Sequence, residues 1–339
     1  MRKLFAVALV VAGVAACDGG PTEPETVTED HGYSLRLESR EVRKPANVSV
    51  LFQVRTSAGK PVPGLAVEDF TIFENDEPIS AFEAVRAIVP KPGKFVARTM
   101  LVLDLSGSVL NASSLPALKE AARAFVTSTL PVSATNEAEV GIWWFDGAAD
   151  LHSLSPFTNN RANLLAAIDK IAPGISNDVS TNLNGAVIHA VEMAADRGRE
   201  DERRDVISAN AVVIFTDGTD RAARRTAQEA VETVNRLKEE VSIYTIGLGN
   251  EVNETSLKSI GVNGFVSARD VSELMSAFNS VGSNIRDEAN SYYLLEYCSP
   301  KRAGTNTVKI QAARGSLSGS LATSFSAAGF GGGCTVAAG

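Results

Sequence analysis

The chain has 339 residues, of which 44% are hydrophobic and 21% are charged, and its formal net charge is −8. These values are typical of a soluble globular protein with a substantial core, and the length is sufficient for two or three domains. No Lys/Arg cluster stands out along the chain. The composition therefore argues against a nucleic-acid partner, because nucleic-acid binding requires a basic patch that displaces phosphate counterions.

The N-terminus has the pattern of a bacterial export signal. Arg2 and Lys3 precede an uncharged apolar run, residues 4–16, that is too short to span a bilayer comfortably. The run ends in the sequence VAAC, which resembles a bacterial lipobox with Cys17 as its cysteine. This resemblance implies that residues 1–16 are a signal peptide and that lipidated Cys17 anchors the protein to a membrane of the cell envelope, on the periplasmic face or at the cell surface. A plain secretory signal with an incidental cysteine is the alternative.

The chain then changes from a polar segment to a strand-rich one. Residues 17–31 are rich in Pro, Thr and Glu and contain almost no apolar side chain, so we expect a disordered tether. Residues 32–95 contain short runs in which apolar and polar residues alternate, separated by turn clusters such as ENDEP at 74–78. This pattern is typical of a small β-sandwich module.

From residue 96 to residue 288, strand and helix patterns alternate. The continuous apolar run at 99–103 predicts a strand that is buried on both faces of a parallel sheet. Further strands are predicted over 139–145, 150–155, 210–216, 241–248 and 264–267. Apolar residues at helical spacing predict helices over 115–126, 164–171, 183–194, 223–237 and 271–285. The alternation predicts the α/β class, with a doubly wound, mostly parallel sheet and helices on both faces.

The remaining residues, 289–339, are predicted to be a C-terminal β extension. Strand patterns over 291–297, 307–312 and 318–325 either extend the main sheet or return to the N-terminal β-module. Cys298 and Cys334 lie in this segment. Lipidation of Cys17 would leave them as an even pair in an oxidising compartment, which favours a disulfide over two unpaired thiols.

Three loops at one edge of the predicted sheet carry short oxygen-bearing side chains. The first has the pattern D-x-S-x-S, with Asp104, Ser106 and Ser108, and follows the first buried strand. The second contains Thr181 before a helix, and the third contains Asp217 after the strand 210–216. Ligands of open α/β sheets bind at the carboxyl ends of the strands, where the strand order reverses. Carboxylate, hydroxyl and water oxygens suit Mg²⁺ or Mn²⁺, which favour octahedral oxygen coordination.

The order and spacing of these five residues resemble the metal-ion-dependent adhesion site of von Willebrand factor A domains, and the resemblance extends over residues 96–288. It implies that Asp104, Ser106, Ser108, Thr181 and Asp217 hold a divalent cation, with the two carboxylates acting partly through bound water. It also implies an open coordination position that an acidic residue of a partner protein can fill. Mg²⁺ is the first candidate, and Mn²⁺ and Ca²⁺ are alternatives. In the competing interpretation the five residues only cap turns and helices.

These features predict a membrane-anchored adhesion or protein-binding module. The alternative is an envelope scaffold or assembly factor in which the metal only stabilises the fold. An enzyme is not expected: His31, His152 and His189 stand in no hydrolase-like arrangement, and the motifs G-x-S-x-G and H-E-x-x-H do not occur.

Overall fold

The computed structural model of the protein describes residues 28–79, 86–89, 95–111, 114–130 and 138–336. The expected signal peptide and the expected lipidation site Cys17 lie outside these residues. Within the described part, no helix combines the length and the apolar character that a membrane crossing requires.

The described residues form strands, α-helices and one short 3-10 helix, Val67–Asp69. The strands are β1 (Thr28–His31), β2 (Tyr33–Arg43), β3 (Asn47–Thr56), β4 (Phe70–Glu74), β5 (Glu77–Pro78), β6 (Arg86–Val89), β7 (Phe95–Asp104), β8 (Ala138–Phe145), β9 (His152–Thr158), β10 (Ile207–Thr216), β11 (Val241–Leu248), β12 (Gly264–Ala268), β13 (Tyr292–Cys298), β14 (Thr305–Arg314) and β15 (Leu317–Ser326). The helices are α1 (Gly107–Asn111), α2 (Ser114–Thr129), α3 (Arg161–Asp169), α4 (Leu183–Glu202), α5 (Ala227–Leu237), α6 (Glu254–Ile260) and α7 (Leu274–Ala289).

The middle of the chain folds around a six-stranded sheet with the order β12-β11-β10-β7-β8-β9. All neighbouring strands in it are parallel except β8 and β9, which are antiparallel. The strand order reverses between β7 and β10, because the chain adds β8 on one side of β7 and later adds β10 on the other. The predicted doubly wound, mostly parallel α/β sheet is confirmed.

Helices cover both faces of this sheet because its central strands are apolar on both sides. In β7, Leu101 and Leu103 belong to the core under α2, α3 and α7, whereas Met100 and Val102 belong to the core under α4, α5 and α6. All four side chains are fully buried. Replacing a leucine at such a position by alanine typically costs about 2–5 kcal/mol of stability. The apolar run at 99–103 is therefore what makes β7 a central strand.

The two ends of the chain form a second unit, a β-sandwich. One sheet has the order β1-β15-β14-β4-β5, and the other has the order β2-β3-β13-β6. Alternating side chains of both sheets build its core, including Phe52, Phe70 and Tyr297. The C-terminal strands thus return to the N-terminal strands instead of extending the six-stranded sheet, and the α/β unit is inserted between β6 and β13.

The first described strand lies within the segment that the sequence predicts to be a disordered tether. Residues 28–31 form β1, which pairs antiparallel with β15 along Thr28–His31. The ladder uses backbone N–H and C=O groups, which every residue other than proline provides in full, so a polar segment can take an edge position without apolar alternation. Hydrophobic patterning therefore does not reveal a strand of this kind.

A disulfide joins Cys298, at the end of β13, to Cys334 in the C-terminal tail, across 36 positions of sequence. The tail also packs on the sandwich through Phe330, and its Gly331 N–H donates to the carbonyl oxygen of Pro45 at 2.7 Å. The predicted pairing of these cysteines is present, and it holds the tail against the sandwich.

Reduction of this disulfide is expected to lower the free energy of unfolding by about 3–4 kcal/mol, because a cross-link across a loop of this length restricts the unfolded chain by that amount. Chemical denaturation with and without dithiothreitol measures the difference. The Cys298→Ser/Cys334→Ser double variant is the control, since the reductant should not change its stability. Equal stability of the oxidised and reduced protein would contradict the prediction.

Candidate metal centre

The pairing of β7 with β10 places the first elements of the site side by side. Leu103 is the register partner of Phe215. The next residues of the two strands, Asp104 and Thr216, therefore lie side by side. Asp217 comes directly after β10. Both strands end at the carboxyl edge of the sheet, at the point where the strand order reverses. This is the position at which open α/β sheets bind ligands.

The carboxylate of Asp104 is fully buried and accepts two hydrogen bonds. Its Oδ1 accepts from the backbone N–H of Ser106 at 3.0 Å, and its Oδ2 accepts from the Thr216 hydroxyl at 2.6 Å. The second bond joins the two central strands. Each carboxylate oxygen has a further lone pair, so Asp104 can still accept a bond from a water or face a cation.

A chain of oxygen atoms runs from this buried end to the surface. The hydroxyl oxygens of Ser106, which is buried, and Ser108, which is exposed, are 3.3 Å apart. The Ser108 hydroxyl donates to Oδ1 of Asp217 at 2.8 Å. Four of the five predicted site residues are therefore connected at the sheet edge, with Asp104 joined to the others through the backbone N–H of Ser106.

The fifth residue, Thr181, lies on the loop before α4, and backbone hydrogen bonds hold this loop against both of the others. The carbonyl oxygen of Thr181 accepts from the N–H groups of Arg221 and Ala222 at 2.9 and 3.0 Å. The carbonyl oxygen of Val179 accepts from the N–H of Gly107 at 3.0 Å. Thr181 is only 4% exposed, and its hydroxyl makes no hydrogen bond to the described residues. Its oxygen is thus available to a ligand that the polypeptide does not supply.

Two carboxylates so close to each other carry an electrostatic cost. Burial raises the pKa of Asp104 to about 6; the hydrogen bonds from Ser106 and Thr216 act in the opposite direction, and the charge of Asp217 adds to the rise. Burial also raises the pKa of Asp217, against the lowering effect of the Ser108 hydroxyl. Burial is the first cause of both shifts, and a bound cation would favour the ionised carboxylates.

The donor set is rich in hydroxyls. In the described parts of the chain, no three or more His, Cys, Asp or Glu side chains are grouped as metal ligands. A cation at this edge would therefore rely on the serine and threonine oxygens in addition to the two carboxylates. Such an all-oxygen set fits a hard cation such as Mg²⁺ or Ca²⁺ better than a metal that favours nitrogen or sulfur ligands.

The sequence analysis did not identify the residues that support these loops. Asp146 follows β8 and is almost fully buried; its Oδ2 accepts from the Ser176 hydroxyl at 2.6 Å, and its Oδ1 accepts from Ala148 N–H at 2.9 Å. Asp220 accepts from the N–H groups of Asn184 and Ala223 at 2.9 and 2.8 Å. An acid directly after a predicted strand was the available signal for Asp146, because it marks the same sheet edge as Asp104.

The fold and the site together define a doubly wound α/β domain with hydroxyl and carboxylate oxygens at its switch point. Residues 99–219 match the family model of the von Willebrand factor type A domain. The matched range includes the loops of Asp104, Thr181 and Asp217.

Solved structures with similar folds come from animals and bacteria. Proximal thread matrix protein 1 of the mussel byssus is 17% identical over 62% of this chain and 49% of its own, with a TM-score of 0.43. A von Willebrand factor type A protein from Catenulispora acidiphila is 11% identical over 88% of this chain and 73% of its own, with a TM-score of 0.47. The von Willebrand factor domain of the type V pili tip protein Mfa5 from Porphyromonas gingivalis is 15% identical over 57% of this chain and 95% of its own, with a TM-score of 0.44.

The present chain thus spans about half the length of the mussel protein. A comparison with curated proteins finds no significant match.

The hydrogen bond between Thr216 and Asp104 is open to a direct test. Thr216→Val removes the hydroxyl at nearly constant volume and leaves a buried carboxylate oxygen without its donor. We expect the free energy of unfolding to fall by about 1–3 kcal/mol in the absence of added metal. Thr216→Ser keeps the hydroxyl and should recover most of this loss. Denaturant unfolding of the three proteins measures these free energies. A valine variant as stable as the unmodified protein would show that the hydrogen bond from Thr216 to Asp104 does not stabilise the fold.

Proposed function

We propose that this protein is a protein-binding module of the bacterial cell envelope that captures partners through a divalent cation. Asp104, Ser106, Ser108, Thr181 and Asp217 would hold the cation, and an acidic side chain of the partner would complete its coordination. The observation that carries the proposal is the hydrogen-bonded group of four of these side chains at the sheet edge, with the Thr181 loop held against both of their loops by backbone bonds.

The chemistry of the donors supports binding of an external acid. The set includes only two carboxylates, and one of them, Asp104, already accepts two hydrogen bonds from the protein. Hydroxyl oxygens neutralise a cation less than carboxylates do, so a bound Mg²⁺ would retain a strong attraction for a further anionic oxygen. Mn²⁺ and Ca²⁺ remain alternatives. Ser108 and Asp217 lie at the accessible end of the group, where such an oxygen could enter.

Two exposed arginines lie on the loop after Asp217, and each is paired with an acid. The side chains of Arg221 and Arg224 are 65% and 47% exposed. Arg221 pairs with Glu251 at 3.0 Å, and Arg224 lies 3.9 Å from Asp178. Exposed ion pairs contribute little, so an incoming carboxylate can compete for either arginine. Such competition would favour the approach of an acidic partner.

Anchoring at the envelope is the second part of the proposal. Residues 1–16 would be removed as a signal peptide, and lipidation of Cys17 would attach the chain to the membrane. Two or more acyl chains would make this attachment stable. The polar residues that precede β1 would act as a tether between the membrane and the folded units.

An envelope scaffold is the competing function, and the disulfide-tied sandwich favours it, because a unit built from both ends of the chain is suited to a structural role. In that case the cation would only stabilise the fold, and a partner would bind without it.

Metal binding is expected to stabilise the protein through these five residues. Mg²⁺ or Mn²⁺ at about 100 times its dissociation constant should add about 2.7 kcal/mol to the stability, which differential scanning calorimetry detects as a higher unfolding temperature. Asp104→Ala and Thr181→Ala should abolish this shift, because each removes a donor from the cation site.

Thr255→Ala is the matched control, since Thr255 is an exposed residue of α6 outside the site and its removal should leave the metal effect intact. If millimolar Mg²⁺ and Mn²⁺ both leave the unfolding temperature of the unmodified protein unchanged, the cation site does not exist.

Partner capture should depend on the cation if the binding function is right. Crosslinking in intact cells with and without a chelator, followed by mass spectrometry, identifies the captured proteins. The crosslinks should disappear with chelator and in the Asp104→Ala variant, while Thr255→Ala retains them. A partner that persists under chelation, from a protein that remains folded, would support the scaffold instead.

A further inference from the structure

An exposed apolar side chain stands directly beside the candidate metal centre. Val179 is 73% exposed, whereas the other exposed large hydrophobic side chains of the described residues have values from 37% to 43%. Those others, among them Met193 and Val262, lie outside the three loops of the site. Single apolar residues on a surface need no explanation. The position of Val179 and the way it is held distinguish it from them.

Val179 is fixed to the loop that carries two of the candidate ligands. Its carbonyl oxygen accepts from the N–H of Gly107 at 3.0 Å, and Gly107 lies between Ser106 and Ser108. A β-carbon placed on Gly107 would be only 2.9 Å from Cβ of Val179. The valine therefore packs over the backbone of the glycine that separates the two candidate serine ligands.

The loop around Val179 is held by its own hydrogen bonds. Oδ1 of Asp178 accepts from the N–H of Ser180 at 3.0 Å and from its hydroxyl at 2.7 Å. The Ser176 hydroxyl donates to the buried Asp146 at 2.6 Å. An apolar group that is already in place loses little conformational entropy when a partner covers it, which is the condition for an effective binding contact.

We infer that Val179 determines specificity by packing against an apolar side chain that the partner carries at a constant offset in sequence from the acid that completes the cation. This inference rests on the proposed function. Val179 lies two residues before Thr181, and its carbonyl oxygen is bonded to the residue between Ser106 and Ser108, so a partner segment that reaches the cation would also meet this exposed side chain. The recognised motif is thus an acidic residue and an apolar residue at one constant offset along the segment.

The test is a selection from a displayed library of random heptapeptides against the full chain in Mg²⁺, with elution by EDTA. The selected peptides should contain Asp or Glu with an apolar residue at one constant offset from it. Val179→Ser should still select EDTA-sensitive acidic peptides but should lose the apolar preference. The best peptide should bind this variant about tenfold more weakly in a fluorescence anisotropy titration, the effect of leaving part of an apolar side chain uncovered.

Val262→Ser is the matched control, because it makes the same substitution at a valine that is 43% exposed and remote from the site. It should select the same peptides as the unmodified protein and bind the best one with equal affinity. Both variants should retain the stabilisation by Mg²⁺, which shows that the cation site is intact.

The outcomes separate this inference from the proposed function. Acidic peptides without an apolar preference, or an unchanged preference in Val179→Ser, would overturn the role of Val179 and leave cation-mediated binding in place. A library that yields no EDTA-sensitive peptide from the unmodified protein would overturn both.

Discussion

The parallel pairing of β7 with β10 is the constraint on which the candidate site depends. These two strands are apolar on both faces, so they occupy the centre of the sheet and are covered by helices on each side. Their pairing sets Asp104 beside Thr216 and lets the Thr216 hydroxyl reach the buried carboxylate. A shift of register by one residue would turn every side chain of β10 to the opposite face and remove this bond. Core packing and site geometry are therefore specified by the same alignment.

The sandwich is coupled to this sheet through α7. The helix ends at Ala289 and β13 begins at Tyr292, so only two residues separate the units. Near the end of the helix, Glu288 accepts from Nε2 of Gln53 at 2.7 Å and also pairs with Arg55, both on β3 of the sandwich. Near the start of the helix, Phe278 packs against Phe215, the residue before Thr216, with ring centroids 5.8 Å apart. One helix thus contacts both the sandwich and the strand that supports the site.

The α/β unit could be predicted from sequence because its signals are local. Doubly buried strands have continuous apolar runs, and their helices have apolar residues at helical spacing. The strand β11 was therefore predicted at its observed bounds, and β7, β10 and α4 were predicted in their places, although β7 and β10 begin earlier and α4 ends later than predicted. The site motif could be located for the same reason, since each loop directly follows or precedes such an element.

Features that depend on distant partners could not be predicted in this way. Alternation of apolar and polar residues indicates strands within residues 305–326, but it does not show which strands pair with them. Packing in the sandwich sets that pairing. The helix α6 was not predicted for a different, local reason. It has seven residues, too few for a clear helical period, and its start is fixed by the Asn253 side chain, which accepts a hydrogen bond from Ser256 N–H. Mixed charged runs such as residues 196–205 usually face water, yet Asp201 is buried in an ion pair with Arg98. Burial of that acid follows from a strand about a hundred residues away, and no local pattern reports it.

The loop before α4 combines two tasks that the proposed function assigns to the site. Thr181 would contribute an oxygen to the cation, and Val179, two residues earlier, is the exposed apolar contact beside it. The same loop is bonded to the Ser106–Ser108 segment through Val179 and to the Arg221 segment through Thr181. A substitution that moved this loop would displace the hydroxyl and the valine together, so cation affinity and partner choice would change in concert. Replacement of the valine side chain alone leaves every one of these backbone bonds in place. The inferred contact would therefore let specificity change at one exposed side chain without a change in the geometry that would hold the metal.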